Sequence, residues 1–211
     1  MLVQDVMQTK LFTVTPETTL AEALRLTGQR GIRHLPVLDG DRLVGILSDR
    51  DLKRTMASSA PELEAHELTL PRRLRVEDAM TRTVITIGPA FPIETAASLM
   101  VREKIGALPV TDGDRLIGLV TETDVLRLFV RAMGASEPSS RLDIVVSNRP
   151  HAVAEIVQAV ETSGAEISSL VTLAGEGGFR EVVLRVRTIN PTSAVWSLRA
   201  RGFSARETWR G

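Results

Sequence analysis

HLPVLDGDRLVGILSDRD, residues 34–51, is written a second time as ALPVTDGDRLIGLVTETD, residues 107–124. In both copies the apolar run before Asp-Gly and the run after it have strand lengths. The Asp39-Gly40 and Asp112-Gly113 pairs are strong tight-turn signals, since glycine tolerates positive φ, so each copy reads as a β-hairpin. Ser48 and Thr121 then stand where a helix N-cap belongs, with Asp51 and Asp124 three residues on, a capping box in which Asp replaces Glu. A hairpin running into a capped helix is therefore expected twice.

Working outward, residues 3–54 align with residues 76–127 without a gap, so the duplication covers a whole supersecondary unit. Each copy starts with VxDxM and continues into a short β-branched stretch, Phe12 to Thr15 or Ile85 to Ile87, read as a strand and followed by a proline. Apolar residues at Leu20, Ala23, Leu24 and Leu26, or at Ile93, Ala96, Ala97, Leu99 and Met100, then give a helical period. The unit is β-α-β-β-α. The first repeat is placed at 1–60 and the second at 76–132, with a connection at 61–75 and a short helix expected around Leu63 to Leu70. MGASEPSS, 133–140, is a Gly/Ser/Pro-rich break read as a linker.

Residues 141–211 carry a different pattern: strand Leu142 to Ser147, helix Pro150 to Ser163, strand Glu166 to Leu173, a GEGG turn, strand Glu181 to Val186, helix Pro191 to Arg201 and strand Phe203 to Thr208. Pro150 and Pro191 suit the first turn of a helix, and Asn190 is a natural cap. Val153, Ile156, Val157 and Val160 share one helix face that must cover a sheet. The order βαββαβ predicts a four-stranded antiparallel sheet with two helices on one side, with Leu142 to Val146 and Phe203 to Thr208 at or near its edges. The fold class is α+β throughout.

Composition narrows the functions. With 26 Lys plus Arg against 26 Asp plus Glu, the formal net charge is zero, which argues against a nucleic-acid binder that works by neutralising phosphates. No apolar run is long enough to span a bilayer and no basic-then-apolar leader opens the chain, so no membrane partner and a cytoplasmic location are expected. There is no cysteine, hence no thiolate nucleophile or sulfur-rich metal site. The three histidines, His34, His66 and His151, lie in separate segments without metal-ligand or catalytic spacing, and no phosphate-loop or dinucleotide fingerprint is present. Neither a catalytic site, a metal site nor a bound cofactor is therefore expected.

The duplicated motif resembles the cystathionine-β-synthase (CBS) domain, and the pair over 1–132 resembles one Bateman module. The tail, with SNRPHAVAEIVQAVETSGAEI, resembles an ACT domain of ferredoxin-like fold, and the whole arrangement is similar to the acetoin-utilisation B-type family. The resemblance implies a non-catalytic regulator that binds adenine nucleotides of the AMP, ADP or ATP class. Its nucleotide-binding residues would be Gly45, Ser48 and Asp51 in one repeat and Gly118, Thr121 and Asp124 in the other. Adenine would lie against apolar residues of the opposite repeat, Asp51 working with Met80 and Ile85, and Asp124 with Met7 and Phe12. Chemically, a glycine admits a ligand to the strand, a helix N-terminus attracts phosphate, and a carboxylate accepts ribose hydroxyls. Arg33, His34 and Arg50 flank the first site, whereas Gly106, Ala107 and Thr123 match them in the second, so the first is expected to favour a charged nucleotide. In the tail, Asn148 could meet an amino-acid effector, but His151 stands where ACT relatives carry the glycine that admits it. A homodimer is expected by resemblance, with the ACT-like unit mainly associating. The alternative is an amino-acid-responsive adaptor in which the CBS pair is scaffold only.

Overall fold

A computed structural model describes residues 1–58 and 74–210. The helix expected around Leu63 to Leu70 lies outside the described residues. The chain forms two compact units, Met1–Val125 and Leu126–Gly211. No helix among the described residues is long and apolar enough to cross a membrane.

In the first unit each repeat contributes a helix, a hairpin and a second helix: α1 (Leu20–Arg30), β1 (His34–Asp39), β2 (Arg42–Ser48) and α2 (Asp49–Ser58), then α3 (Ile93–Glu103), β3 (Ala107–Asp112), β4 (Arg115–Thr121) and α4 (Glu122–Ala132), which runs past the unit boundary. The strand order is β1-β2-β4-β3, and β2 meets β4 at the single pair Arg42 and Arg115. The hairpin loops are Gly40-Asp41 and Gly113-Asp114, so the glycine of each Asp-Gly pair takes the first loop position, at φ 59° and 56°.

The strands expected at Phe12 to Thr15 and Ile85 to Ile87 do not form. Each shrinks to one parallel bridge, Val14 to Val37 and Ile87 to Val110. Proline explains this. Val14 donates to Pro36 O and accepts from Leu38 N, and Ile87 does the same with Pro109 and Thr111. Extending the ladder would need an N–H from Pro36 or Pro109 on one side and from Pro16 or Pro89 on the other, and proline has none.

The two repeats complete each other. Thr81 exchanges backbone hydrogen bonds with Ile46, and Gln8 exchanges them with Leu119. Val76 and Met80 are buried in the core of the first repeat, beside Leu20, Leu35, Val37, Leu47 and Leu52. At the corresponding place Val3 donates to Phe91 O and is fully buried. Each VxDxM segment thus belongs in space to the repeat it does not belong to in sequence.

The second unit contains β5 (Ser140–Ser147), α5 (Ala152–Thr162), β6 (Ile167–Ala174), β7 (Phe179–Val186), α6 (Thr192–Ala200) and β8 (Ser204–Arg210) in an antiparallel sheet ordered β6-β7-β5-β8. Both helices cover one face, over a core of Leu142, Ile144, Leu184, Ile156 and Leu198. Leu142 to Val146 lies one strand in from the edge, paired with β7 and β8, and Phe203 to Thr208 falls largely in the edge strand β8; the other edge is β6. The helix starts are corrected. Helix α5 starts at Ala152, two residues after Pro150, because His151 at its N-cap is left-handed with φ 65° and cannot continue a helix. Helix α6 starts at Thr192 with Pro191 at its N-cap, and Asn190, expected as the cap, stands one residue earlier, its Oδ1 accepting Thr192 N–H at 3.2 Å.

Candidate functional site

The two capping boxes form as chemistry demands. Asp51 Oδ2 accepts Ser48 N–H at 3.0 Å and Ser48 Oγ–H at 2.6 Å, while Ser48 Oγ accepts Asp51 N–H at 3.2 Å. Thr121 and Asp124 repeat the pattern at 3.0, 2.6 and 3.3 Å. One carboxylate oxygen is thereby committed to holding the helix start, and a bound molecule is left with Oδ1. At Asp51, Oδ1 accepts from Arg54 Nη2 at 2.5 Å, within the same helix. At Asp124, Oδ1 accepts from Gln8 Nε2 at 3.1 Å, and Gln8 comes from the other repeat.

Around Asp51 opens a cleft of about 370 Å³. The first repeat lines it with Arg33, His34, Ser48, Asp49, Arg50 and Arg54, and the second with Thr81, Thr83, Ile85, Lys104, Gly106 and Glu122. Arg33, His34, Arg50, Ser48 and Asp51 are thus brought together with Ile85. Met80 and Gly45, also expected there, do not line it. A Cβ on Gly45 would fall 2.5 Å from Met80 Sδ, so this glycine admits a methionine of the other repeat, which is itself core. Gly118 does the same for Met7. Phe12 packs against the first repeat's core and carries the Arg30 guanidinium over its ring at 4.7 Å.

Electrostatics in the cleft are mixed. Burial, then the Arg33 guanidinium, hold the His34 imidazole below the ordinary histidine range, while Asp49, Glu122 and Asp51 act the other way. Gly106 permits this approach, since a Cβ there would lie 3.2 Å from both His34 Nε2 and Glu122 Oε2. Arg33 reaches over to Thr123 Oγ1 at 3.2 Å. Sequence reading missed Arg54, Thr81, Thr83, Lys104 and Glu122. Arg54 is one helical turn from Asp51 and could have been found by spacing. The others reach the cleft only because the repeats pack together.

In the second unit Asn148, Arg149, His151 and Arg180 line an open depression at the start of α5. Arg180 Nη2 donates to Asn148 Oδ1 at 2.9 Å, and Arg149 is paired bidentately with Glu155. His151, at positive φ, adopts the backbone conformation that suits glycine. Among the described residues no cluster of His, Cys, Asp and Glu is built to hold a metal ion.

The CBS-domain family profile matches residues 3–58 and 76–131. A CBS domain-containing protein of Dictyostelium discoideum is 38% identical over 142 residues, covering 66% of this chain and 98% of that protein. The chain spans only about a quarter of the length of longer curated relatives. Among solved structures, a Vibrio cholerae protein assigned to acetoin utilization is 28% identical with TM-score 0.55, over 64% of this chain and 95% of that one. A protein crystallised with AMP is 30% identical with TM-score 0.51, over 61% and 96%.

Proposed function

The chain belongs to the CBS-domain family, and on that premise we propose that it is a non-catalytic sensor whose first cleft binds an adenine nucleotide. One observation carries this: a single cleft joins the capping carboxylate of Asp51 to Arg33, His34 and Arg50 on one wall and to apolar Ile85 of the other repeat. Ribose hydroxyls have Asp51 Oδ1, phosphate has the cations, and a base has Ile85. The relative crystallised with AMP supports the same ligand class. Asp51 Oδ1 is held by a guanidinium that is itself 72% exposed, so a ribose hydroxyl displaces a partner that water readily satisfies. Nucleotide would favour one packing of the two repeats, and this packing is the regulatory output.

The second unit is read as an ACT-like domain that pairs with a second copy of the chain. Its sheet order supports this, as do its unpaired edges β6 and β8 and the exposure of Val145 and Leu173 on the face away from the helices. Calorimetry against AMP, ADP, ATP and a panel of amino acids tests the reading. Heat is expected from at least one adenine nucleotide, at micromolar to millimolar Kd, roughly −4 to −8 kcal/mol. Heat from an amino acid alone would make the depression at Asn148 and Arg180 the working site and the repeats a scaffold. For assembly, Val145→Glu is expected to dissociate the dimer in sedimentation while nucleotide affinity stays within about twofold.

A further inference from the structure

Helix α3 ends in a conformation its residue does not favour. Lys104 closes it at φ 56°, ψ 43°, in the left-handed region, with its N–H on Met100 O. The matching turn of the first repeat ends on Gly31 at φ 62°, ψ 31°, with its N–H on Thr27 O. The two repeats have built the same cap, and only one uses the residue that takes this conformation freely. A lysine there carries a backbone cost that glycine avoids, which raises the question of what its side chain does.

That side chain is placed at the cleft. Lys104 lines it with Arg33, His34, Arg50 and Arg54, two residues before Gly106, against which His34 packs. Two of the other cations are engaged, Arg54 by Asp51 and Arg33 by Thr123, while Arg50, on the same repeat as Asp51, has no ion pair or hydrogen bond among the described residues. Among the described residues the Lys104 ammonium has no ion pair or hydrogen bond. An exposed ammonium at the rim, contributed by the repeat opposite Asp51, is suited to the far end of an extended anion.

Resting on the reading of the first cleft as an adenine-nucleotide site, we propose that Lys104 is a specificity residue that contacts the terminal phosphates of a nucleoside di- or triphosphate, ranking ATP and ADP above AMP. The strained cap is what directs this cation to the cleft, and Gly31 marks the unstrained alternative.

The test is calorimetry with adenosine, AMP, ADP and ATP on the full chain and on Lys104→Gly and Lys104→Arg, with thermal unfolding of the unliganded proteins alongside. Lys104→Gly is expected to weaken ATP by about tenfold, leave adenosine and AMP within about twofold, and raise the unfolding temperature; Lys104→Arg is expected to keep the preference for ATP. An unchanged ranking of the four ligands in Lys104→Gly would overturn the role assigned to the side chain, and an unfolding temperature that fails to rise would overturn the strain. A wild-type chain that gives no heat with any of the four overturns the reading of the cleft itself, a result separable from the other two.

Discussion

The two repeats present the same carboxylate to different neighbours. Asp51 and Asp124 are both buried and both spend Oδ2 on a capping box of matching geometry. Their second oxygens diverge. Asp51 Oδ1 faces Arg54 at the edge of an open cleft, whereas Asp124 Oδ1 accepts an amide from Gln8, whose place in the first site is taken by the shorter Thr81. The apolar partners diverge too: Ile85 lines the first cleft, while the ring of Phe12 is covered by Arg30. Duplication has kept what folds the unit and changed what a ligand would touch. A motif preserved twice therefore marks two capped helices, and the surroundings of Asp51 are the reason we propose the first as the site of a charged nucleotide.

Neutralising each carboxylate without removing its cap should separate the two repeats most strongly. Asp51→Asn keeps an oxygen for Ser48 and loses the anionic acceptor for ribose. It is expected to weaken nucleotide binding roughly ten- to a hundredfold, about 1.5 to 3 kcal/mol, with Asp124→Asn staying within about threefold by calorimetry. Equal losses would mean the two sites are equivalent.

Packing should show the reverse, a symmetry. Gly45→Ala and Gly118→Ala each force a methyl group onto a methionine sulfur of the opposite repeat, and each is expected to cost about 1 to 3 kcal/mol in chemical unfolding. A loss at only one of them would show that the exchange of VxDxM segments is not reciprocal.

Gln8→Thr copies the first site's residue into the second. It removes the amide from Asp124 Oδ1 and is expected to add a second, weaker binding event to a titration that otherwise shows one. A titration unchanged by this substitution would remove Gln8 as the cause of the asymmetry.

The smallest effect is one of pH. His34 is held below its ordinary value of 6.5 by burial and by Arg33, so its protonation is disfavoured in the folded chain. Its contribution to stability is full above that value and is lost as pH falls from there through the lowered folded value. A bound phosphate favours the imidazolium, so between about pH 7.5 and 5.5 nucleotide affinity is expected to rise by a few fold more in the wild type than in His34→Asn. Identical profiles would place His34 outside the phosphate's reach.

Much of this was legible in the residues. The repeat, the hairpins, both capping boxes and the βαββαβ order all follow from local chemistry, because turns, caps and periodicity are set within a few residues. The single-bridge pairing of Val14 and Ile87 was also written there, in Pro16, Pro36, Pro89 and Pro109, but it requires knowing which strands meet. The start of α5 was hidden because Pro150 suits a first turn and nothing local shows that His151 is left-handed. Arg33, His34 and Arg50 were found through the motif. Gln8, Lys104 and Glu122 were not, since each reaches its place only when one repeat is laid against the other.

The most direct test is a crystal structure of the chain grown with excess ATP. Density for one nucleotide is expected, with a ribose hydroxyl on Asp51 Oδ1, the base against Ile85 and phosphates toward Arg33, His34 and Arg50, and with Gln8 still on Asp124. A nucleotide bound at Asp124 with the cleft at Asp51 unchanged would contradict it.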